Sequence, residues 1–301
     1  MFRISQRENI VGFLFISPWI LGFLLFTLFP MIYSFVLAFY DWNPFGSPVW
    51  AGVKNYVTLF NDPLFWQSLK VTTIYSIGSV PLGLLVALLF AMLLNRELVG
   101  RGVFRTIFYM PSLVSGVAIS VVWLWIFNSE FGLMNWVLSK FGIKGPQWLM
   151  STTWALPALI IMSLWGTGNS MLIFLAGLQG LPKELYEVAE LDGANSFQRF
   201  WKITLPLLSP SLFFNLVMGV IGSFQTFTQA YVMTQGGPLY STLFYILYLY
   251  KNGFQYFKMG YASALAWVLF GIILVLTLLI FKSSPIWVYY EAEVKTPEVK
   301  R

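Results

Sequence analysis

"LPKELYEVAELDGANSFQRFWKITLPLLSP", residues 181–210, is the most polar stretch of a chain that is otherwise strongly apolar. Glu184, Glu187, Glu190 and Asp192 crowd its first half, Arg199 and Lys202 stand in its second, and long apolar runs resume on both sides. Pro182 suits a helix start, where its missing N–H costs nothing. From Lys183 the spacing predicts a helix with Leu185, Val188 and Ala189 on one face and Glu184, Glu187 and Glu190 on another. Gly193 ends it, because glycine accepts the left-handed conformation of a helix C-terminus. Asn195 or Ser196 can cap a second helix, in which Phe197, Phe200 and Trp201 recur at i, i+3 and i+4. The insert therefore reads as two short helices at an angle, with an acidic face and an aromatic face. Two uses stay open: an ordinary solvated loop, or a docking surface for a soluble partner.

The rest of the chain says where that insert sits. Of 301 residues, 58% are hydrophobic and 10% charged, against roughly 25% charged in a soluble domain. This is the composition of a polytopic membrane protein. The sequence has neither Cys nor His, which excludes thiol nucleophiles, disulfides, Cys/His metal sites and imidazole acid–base chemistry. No catalytic residue and no metal site are expected. The formal charge of +6 need not mean nucleic acid, and none is expected as a partner, since basic residues beside membrane spans set orientation.

A span needs about 20 apolar residues, and Ile10–Tyr40, Leu69–Asn95, Val103–Phe127, Trp154–Leu178, Pro206–Met233 and Ala262–Phe281 qualify. The expected fold is thus an all-α bundle of about six spans, one domain over residues 1–301, with the polar loop at 181–206 between spans four and five. The first run is too long for one upright helix; either Pro18 and Pro30 kink it or its start lies along the interface. It is also about twice a signal-peptide core of ~7–15 residues and lacks a small-residue cleavage site, so it reads as an uncleaved span. With the N-terminus inside, inner segments hold Arg3, Arg7, Arg96, Arg101, Arg105, Lys183, Arg199, Lys202, Lys282, Lys295, Lys300 and Arg301. Outer ones hold only Lys54, Lys70, Lys140, Lys144, Lys251 and Lys258. That bias puts both termini and the polar insert on the cytoplasmic side of the cell membrane. The terminal "EAEVKTPEVKR" is expected to fray.

Helices in lipid associate through small residues. Ser79, Gly83, Ala87 and Ala91 form one such row, Ser112, Gly116 and Ser120 another; packing inside the subunit and a dimer seam are both open. Trp42, Tyr109, Trp148 and Trp287 lie near span ends and read as interfacial anchors. No Asp, Glu, Lys or Arg falls well inside a span, which counts against proton relays, ion-coupled carriers and voltage sensors. What interrupts the spans is neutral: Trp165 and Asn169 in the fourth, Gln225, Thr226 and Gln229 in the fifth, Ser263 and Trp267 in the sixth. Amides can exchange hydrogen bonds with sugar hydroxyls, and an indole can stack on a sugar's apolar face. Hydrogen bonding between helices is the competing role.

With these residues in view, the chain resembles a known family. "ELYEVAELDGANSFQRFWKITLP" looks like the cytoplasmic EAA loop of permease subunits in binding-protein-dependent ABC importers, through Glu187, Ala189, Asp192, Gly193, Ala194, Phe200, Ile203, Leu205 and Pro206. Val188 stands where the family pattern has Ala. "NYVTLFNDPLFWQSLKVTTIYS", "RTIFYMPSLVSGVAISVVWLWIFNSEFGLMN", "LAGLQGLPKELYE" and "TQGGPLYSTLFYILYLYKNGFQYFKMGYASA" are similar to the carbohydrate-uptake branch, and within it to the maltose/glycerol-phosphate type of first permease. The resemblance implies a sugar or oligosaccharide importer of a bacterial or archaeal cell membrane, working by alternating access. It implies four kinds of partner besides lipid: a second permease, an ATPase pair, an extracytoplasmic solute-binding protein and the carbohydrate. It also implies that Glu187, Ala189, Asp192, Gly193, Ala194, Phe200 and Pro206 couple to the ATPase, and that solute lies near the middle of the fifth span. The chain has no G-x-x-x-x-G-K-[ST] loop; "GTGNSM" at 166–171 lacks the pattern. ATP and Mg would be bound by the partner, and this chain is expected to carry no cofactor and to be no enzyme. The rival readings are a secondary transporter or channel for a neutral polar solute, and a membrane-embedded enzyme.

Overall fold

The computed structural model describes residues 6–96 and 99–289. Arg3, Lys295, Lys300, Arg301 and the tail "EAEVKTPEVKR" lie outside the described residues. In chain order, α1 (Gln6–Phe23) and α2 (Phe29–Leu37) are joined by a π turn, Leu24–Leu28, followed by the strands β1 (Tyr40–Asp41) and β2 (Val49–Trp50) and by α3 (Lys54–Phe60). Then come α4 (Pro63–Asn95), α5 (Arg101–Tyr109) with a 3-10 turn (Met110–Leu113), α6 (Gly116–Ile126), α7 (Leu133–Lys140), α8 (Ala155–Leu164) and α9 (Gly168–Gln179). The polar insert forms α10 (Lys183–Leu191) and α11 (Ser196–Arg199), and a π turn (Phe200–Thr204) leads through α12 (Leu205–Leu207) into α13 (Ser209–Phe224). A π turn (Ala230–Thr234), α14 (Tyr245–Tyr250), another π turn (Lys251–Gln255) and α15 (Met259–Trp287) complete the described chain.

Among the described residues, three helical segments are long and apolar enough to cross a membrane alone: Val11–Leu37, Pro63–Asn95 and Met259–Trp287. Three more qualify only as bent pairs: Arg101–Leu113 with Gly116–Ile126 at 102°, Ala155–Leu164 with Gly168–Gln179 at 43°, and Ser196–Leu207 with Ser209–Phe224 at 64°. The third, fourth and fifth expected spans are therefore broken helices. In the first span the two prolines produce a π turn between them. Pro30 has no N–H to offer the carbonyl one turn back, and the released turn widens.

The residues group into two compact units, one running up to Pro63 and including Leu249–Phe270, the other Leu64–Tyr248 with the residues from Gly271 on. In the first unit β1 pairs antiparallel with β2, Tyr40 opposite Trp50. Asn55 is buried and donates to the carbonyls of Ala38 and Tyr40, both at 2.9 Å. Gly260 lies so close to the Tyr40 carbonyl that any Cβ would overlap it. Trp267 stands edge-on to Phe35 at 4.8 Å and donates its indole N–H to Ser34 Oγ at 3.2 Å.

In the second unit α4 and α9 share a core of Ala87, Leu88, Ala91, Leu94, Met171, Phe174, Leu175 and Leu178, joined by Leu208. Ala87 and Ala91 are fully buried, and Phe90 of α4 stacks on Phe108 of α5 at 4.3 Å. The small-residue row of α4 thus serves packing inside the chain. So does the second row: Ser112 donates to the Gly166 carbonyl at 3.3 Å, Gly116 faces Thr228, and Ser120 is fully buried. One expected anchor is corrected: Trp148 is buried with its indole N–H donated to Asn135 Oδ1 at 2.7 Å, while Tyr109 is half-buried against the α4–α9 core. An indole whose ring and N–H are both satisfied internally has nothing left to offer a headgroup.

Candidate functional site

Backbone irregularity inside a membrane is tolerated where protein buries it or where it lines a cavity. Three breaks occur in the second unit, and the one at residues 165–167 lines a cavity through Gly166 and Thr167. Val114 and Ser115 are extended between the Met110–Leu113 turn and α6. Trp165 to Thr167 separates α8 from α9, and the helix of α13 lapses at Gln225. The Ser112–Gly166 hydrogen bond joins the first break to the second. The contact of Gly116 with Thr228 joins the first to the third. Gly168 permits the closest approach: a Cβ there would lie 2.5 Å from Ser112 Oγ and 2.9 Å from the Phe108 carbonyl.

Beside these breaks lies a cleft of about 300 Å³ lined by Tyr75, Ser79, Gly83, Ser163, Gly166, Thr167, Ser170, Asn215, Gly219, Gly222 and Ser223, with Val80 and Leu84. Its polar groups are hydroxyls and one amide, and no charged side chain lines it. The Tyr75 hydroxyl lies among Ser79, Ser163 and Thr226, and Ser223 pairs with Ser76 Oγ at 2.7 Å. A larger cleft, about 580 Å³, separates α4, α13 and α15, but Leu69, Ile77, Phe224, Leu276 and their neighbours make it apolar. It offers a hydroxyl-rich solute almost nothing to bond.

Of the sequence candidates, Trp165, Gln225 and Thr226 fall on the breaks, Asn169 and Gln229 lie in the turns beside them, and none lines the cleft itself. Trp165 is half exposed and meets Trp123 edge-on at 5.8 Å. Asn169 is exposed in the first turn of α9; Gln225 is exposed, and Thr226 and Gln229 are half-buried. Ser263 and Trp267 lie on α15 in the first unit, where the Trp267 indole is engaged with Ser34. Sequence reasoning missed the hydroxyl face. Ser163, Gly166, Thr167 and Ser170 recur at i, i+3, i+4 and i+7, a readable helical stripe, but single hydroxyls inside apolar runs carry little weight alone. It also missed Trp123, which is 9% exposed and whose Nε1 has no hydrogen-bond partner among the described residues. A buried polar group left unpaired costs stability, and this indole stands edge-on to Trp165.

The polar insert takes the expected form. α10 begins after Pro182, and Gly193 has φ +78°, the left-handed value required of it. The turn closes with Gly193 N–H donating to Glu190 at 3.0 Å and Ala194 N–H to Ala189 at 2.9 Å. Asn195 and Gln198 form a reciprocal capping box. Two contacts tie the helices together: an ion pair of Arg199 with Glu190, and the Tyr186 hydroxyl at 2.9 Å from Thr204 Oγ1. Glu187, Asp192 and Pro206 are exposed, while Ala189 and Ala194 are half-buried. The aromatic face divides: Phe200 packs on the α4–α9 core, whereas Phe197 and Trp201 are exposed and meet edge-on at 6.1 Å. Ala189, Asp192, Gly193, Ala194, Gln198, Arg199, Lys202 and Ile203 line a cleft of about 410 Å³ beside them. A concavity with both charge signs, on an element that also exposes Phe197 and Trp201, is suited to receive a protein surface.

Comparison with known proteins supplies the context. The family described as binding-protein-dependent transport system inner membrane component matches residues 79–284. The probable ABC transporter permease protein YesP of Bacillus subtilis is 47% identical, over 97% of this chain and 96% of its own. The arabinooligosaccharides transport system permease protein AraP of Bacillus subtilis is 36% identical over 90% and 88%. The trehalose/maltose transport system permease protein MalF of Thermococcus litoralis is 35% identical over 93% and 95%. Among solved structures, a chain of a bacterial ABC transporter involved in import of the acidic polysaccharide alginate superposes with a TM-score of 0.81 at 26% identity, covering 93% of this chain and 96% of that one.

Proposed function

The chain belongs to the family of binding-protein-dependent transport system inner membrane components, and on that premise we propose that it carries a neutral sugar or oligosaccharide across the cell membrane as one permease domain of an ATP-driven importer. It is a transport subunit of the ABC type. The observation that carries the substrate reading is the cleft beside the three broken helices, lined by hydroxyls and an amide with no charge. Relatives named for arabinooligosaccharides and for trehalose and maltose support the same class. Sugar hydroxyls both donate and accept, so a wall of Ser, Thr, Tyr and Asn groups can replace their water. Trp165, Asn169, Gln225, Thr226 and Gln229 flank the path, and Trp123 donates from behind Trp165.

Residues 181–206 are the coupling element, on the cytoplasmic side with both termini. Glu187, Asp192, Phe197 and Trp201 face an ATPase pair that binds ATP and Mg; Ala189, Gly193 and Ala194 shape the turn; Phe200 and Pro206 transmit its motion into the bundle. A second permease completes the path, and an extracytoplasmic binding protein delivers the sugar. The breaks at 114–115, 165–167 and 225–227 supply bends for alternating access, because interrupted helices redirect without unpacking their halves. The rival is a self-sufficient carrier or channel, and copurification decides. The permease should bring down an ATPase, and alone in liposomes it should accumulate no malto- or arabino-oligosaccharide. Concentration of sugar against a gradient by the chain alone would overturn the reading.

A further inference from the structure

The connection between α6 and α8 has a face that the transport reading does not use. Leu133, Trp136, Val137 and Lys140 recur at i, i+3, i+4 and i+7 on α7 and are all exposed. Phe131 before them and Phe141 and Ile143 after them are 64%, 76% and 54% exposed. The opposite side of the helix is pinned. Asn135 Nδ2 donates to the carbonyls of Ser129 and Pro146 at 3.0 and 3.3 Å, while its Oδ1 accepts from the buried Trp148 at 2.7 Å. The segment is thus held with its apolar side outward and cannot turn it in.

Two observations identify what covers that side. On α6, Val117, Val121 and Trp125 form an exposed stripe at i, i+4 and i+8, and Trp125 meets Phe131 edge-on at 6.4 Å. Through that ring contact the α7 face follows on from the exposed apolar stripe of α6. At its far end charge appears: Lys140 Nζ lies 5.1 Å from the centre of the Trp136 ring, and Lys144 is exposed four residues on. Glu130, also exposed, stands at the other end. A short helix with Trp and Leu on one face and lysines at its border is built for the boundary between acyl chains and headgroups. There indoles anchor, and lysine stems lie along apolar surface while the ammonium reaches out.

We propose that Phe131–Lys144 seats α7 in the membrane surface, its apolar face in the acyl–headgroup boundary and Lys140 and Lys144 on the phosphates of anionic phospholipids. The native chain has no cysteine, so Leu133→Cys, Val137→Cys and Ser139→Cys variants each carry one nitroxide label without background. The full chain is reconstituted in phosphatidylcholine vesicles with and without phosphatidylglycerol. Collisions with oxygen and with a water-soluble nickel chelate are then compared by EPR. Labels at 133 and 137 should be oxygen-accessible and lie roughly 5–10 Å below the phosphates, while the label at 139 should meet the nickel chelate. Enrichment of spin-labelled phosphatidylglycerol over phosphatidylcholine should fall several-fold in Lys140→Gln/Lys144→Gln. Nickel access at 133 and 137 equal to that at 139 would overturn the seating, as would screening from both reagents, the sign of a covering protein. Unchanged lipid preference in the double variant would overturn the phosphate assignment.

Discussion

Gly193 offers a graded test of whether the insert must be stiff. Its φ of +78° is a conformation that side chains rarely adopt, yet a Cβ there would meet nothing within 4 Å. Gly193→Ala therefore adds backbone strain alone, about 1–2 kcal/mol. Two contacts oppose the resulting distortion. The Arg199–Glu190 pair, with Glu190 65% exposed, is worth about 0–1 kcal/mol, and the Tyr186–Thr204 hydrogen bond about 1 kcal/mol. Strain and restraint are nearly matched, so Ala should leave both geometries populated. Gly193→Pro is different. It forces φ to a negative value, removes the N–H that Gly193 donates to Glu190, and costs about 3 kcal/mol or more, beyond what the two contacts can resist. In the reconstituted complex, uptake and solute-stimulated ATP hydrolysis should fall partially in the Ala variant and separate fully in the Pro variant, where hydrolysis persists without uptake. Gly100, also at φ +78° with only Phe104 at 3.9 Å, is the control: Gly100→Ala carries similar strain and should leave coupling intact. Wild-type coupling in Gly193→Pro would refute the argument that a fixed turn transmits force.

Three further outcomes follow from the cleft. Trp123→Phe removes an unpaired N–H while keeping a ring, so without solute the protein should unfold no more readily than wild type, while KM for uptake should rise about tenfold, the worth of one hydrogen bond of roughly 1–1.5 kcal/mol. An unchanged KM would remove Trp123 from the path. Gly168→Ala pushes a methyl against Ser112 and the Phe108 carbonyl and should destabilise by about 1–3 kcal/mol, measured as a lowered Tm in detergent; Gly271→Ala, with nothing within 4 Å, should not. The pair Gln225→Ala and Gln229→Ala should slow uptake at limiting sugar with little effect on Tm, and unchanged uptake kinetics would show that these amides serve only packing.

Sequence reading found the apolar runs because the hydrophobic requirement of a bilayer acts locally: each run of about 20 apolar residues declares itself without its neighbours. Among the described residues, three of the six are single helices long enough to cross. The insert was legible for the same reason. A helix start at Pro182, a left-handed stop at Gly193 and a cap at Asn195 are decisions each made within one turn, and all three hold. What the chain could not announce is where helices break. Trp165 to Thr167 and Gln225 to Phe227 look like continuous span in one dimension. They lie where Gly168 meets the backbone of Phe108 and Tyr109, Ser112 bonds the Gly166 carbonyl and Gly116 meets the Thr228 side chain, and only contacts between distant residues stabilise such a bend. The fates of the aromatics were likewise decided in three dimensions. Trp148 and Phe200 turn inward while Trp136, Trp201 and Phe197 stay outside, since periodicity defines a face but not what stands opposite it. Composition and local pattern determined the class, the apolar runs and the turn of the insert; tertiary packing alone gathered scattered hydroxyls from α4, α8, α9 and α13 into one uncharged cleft.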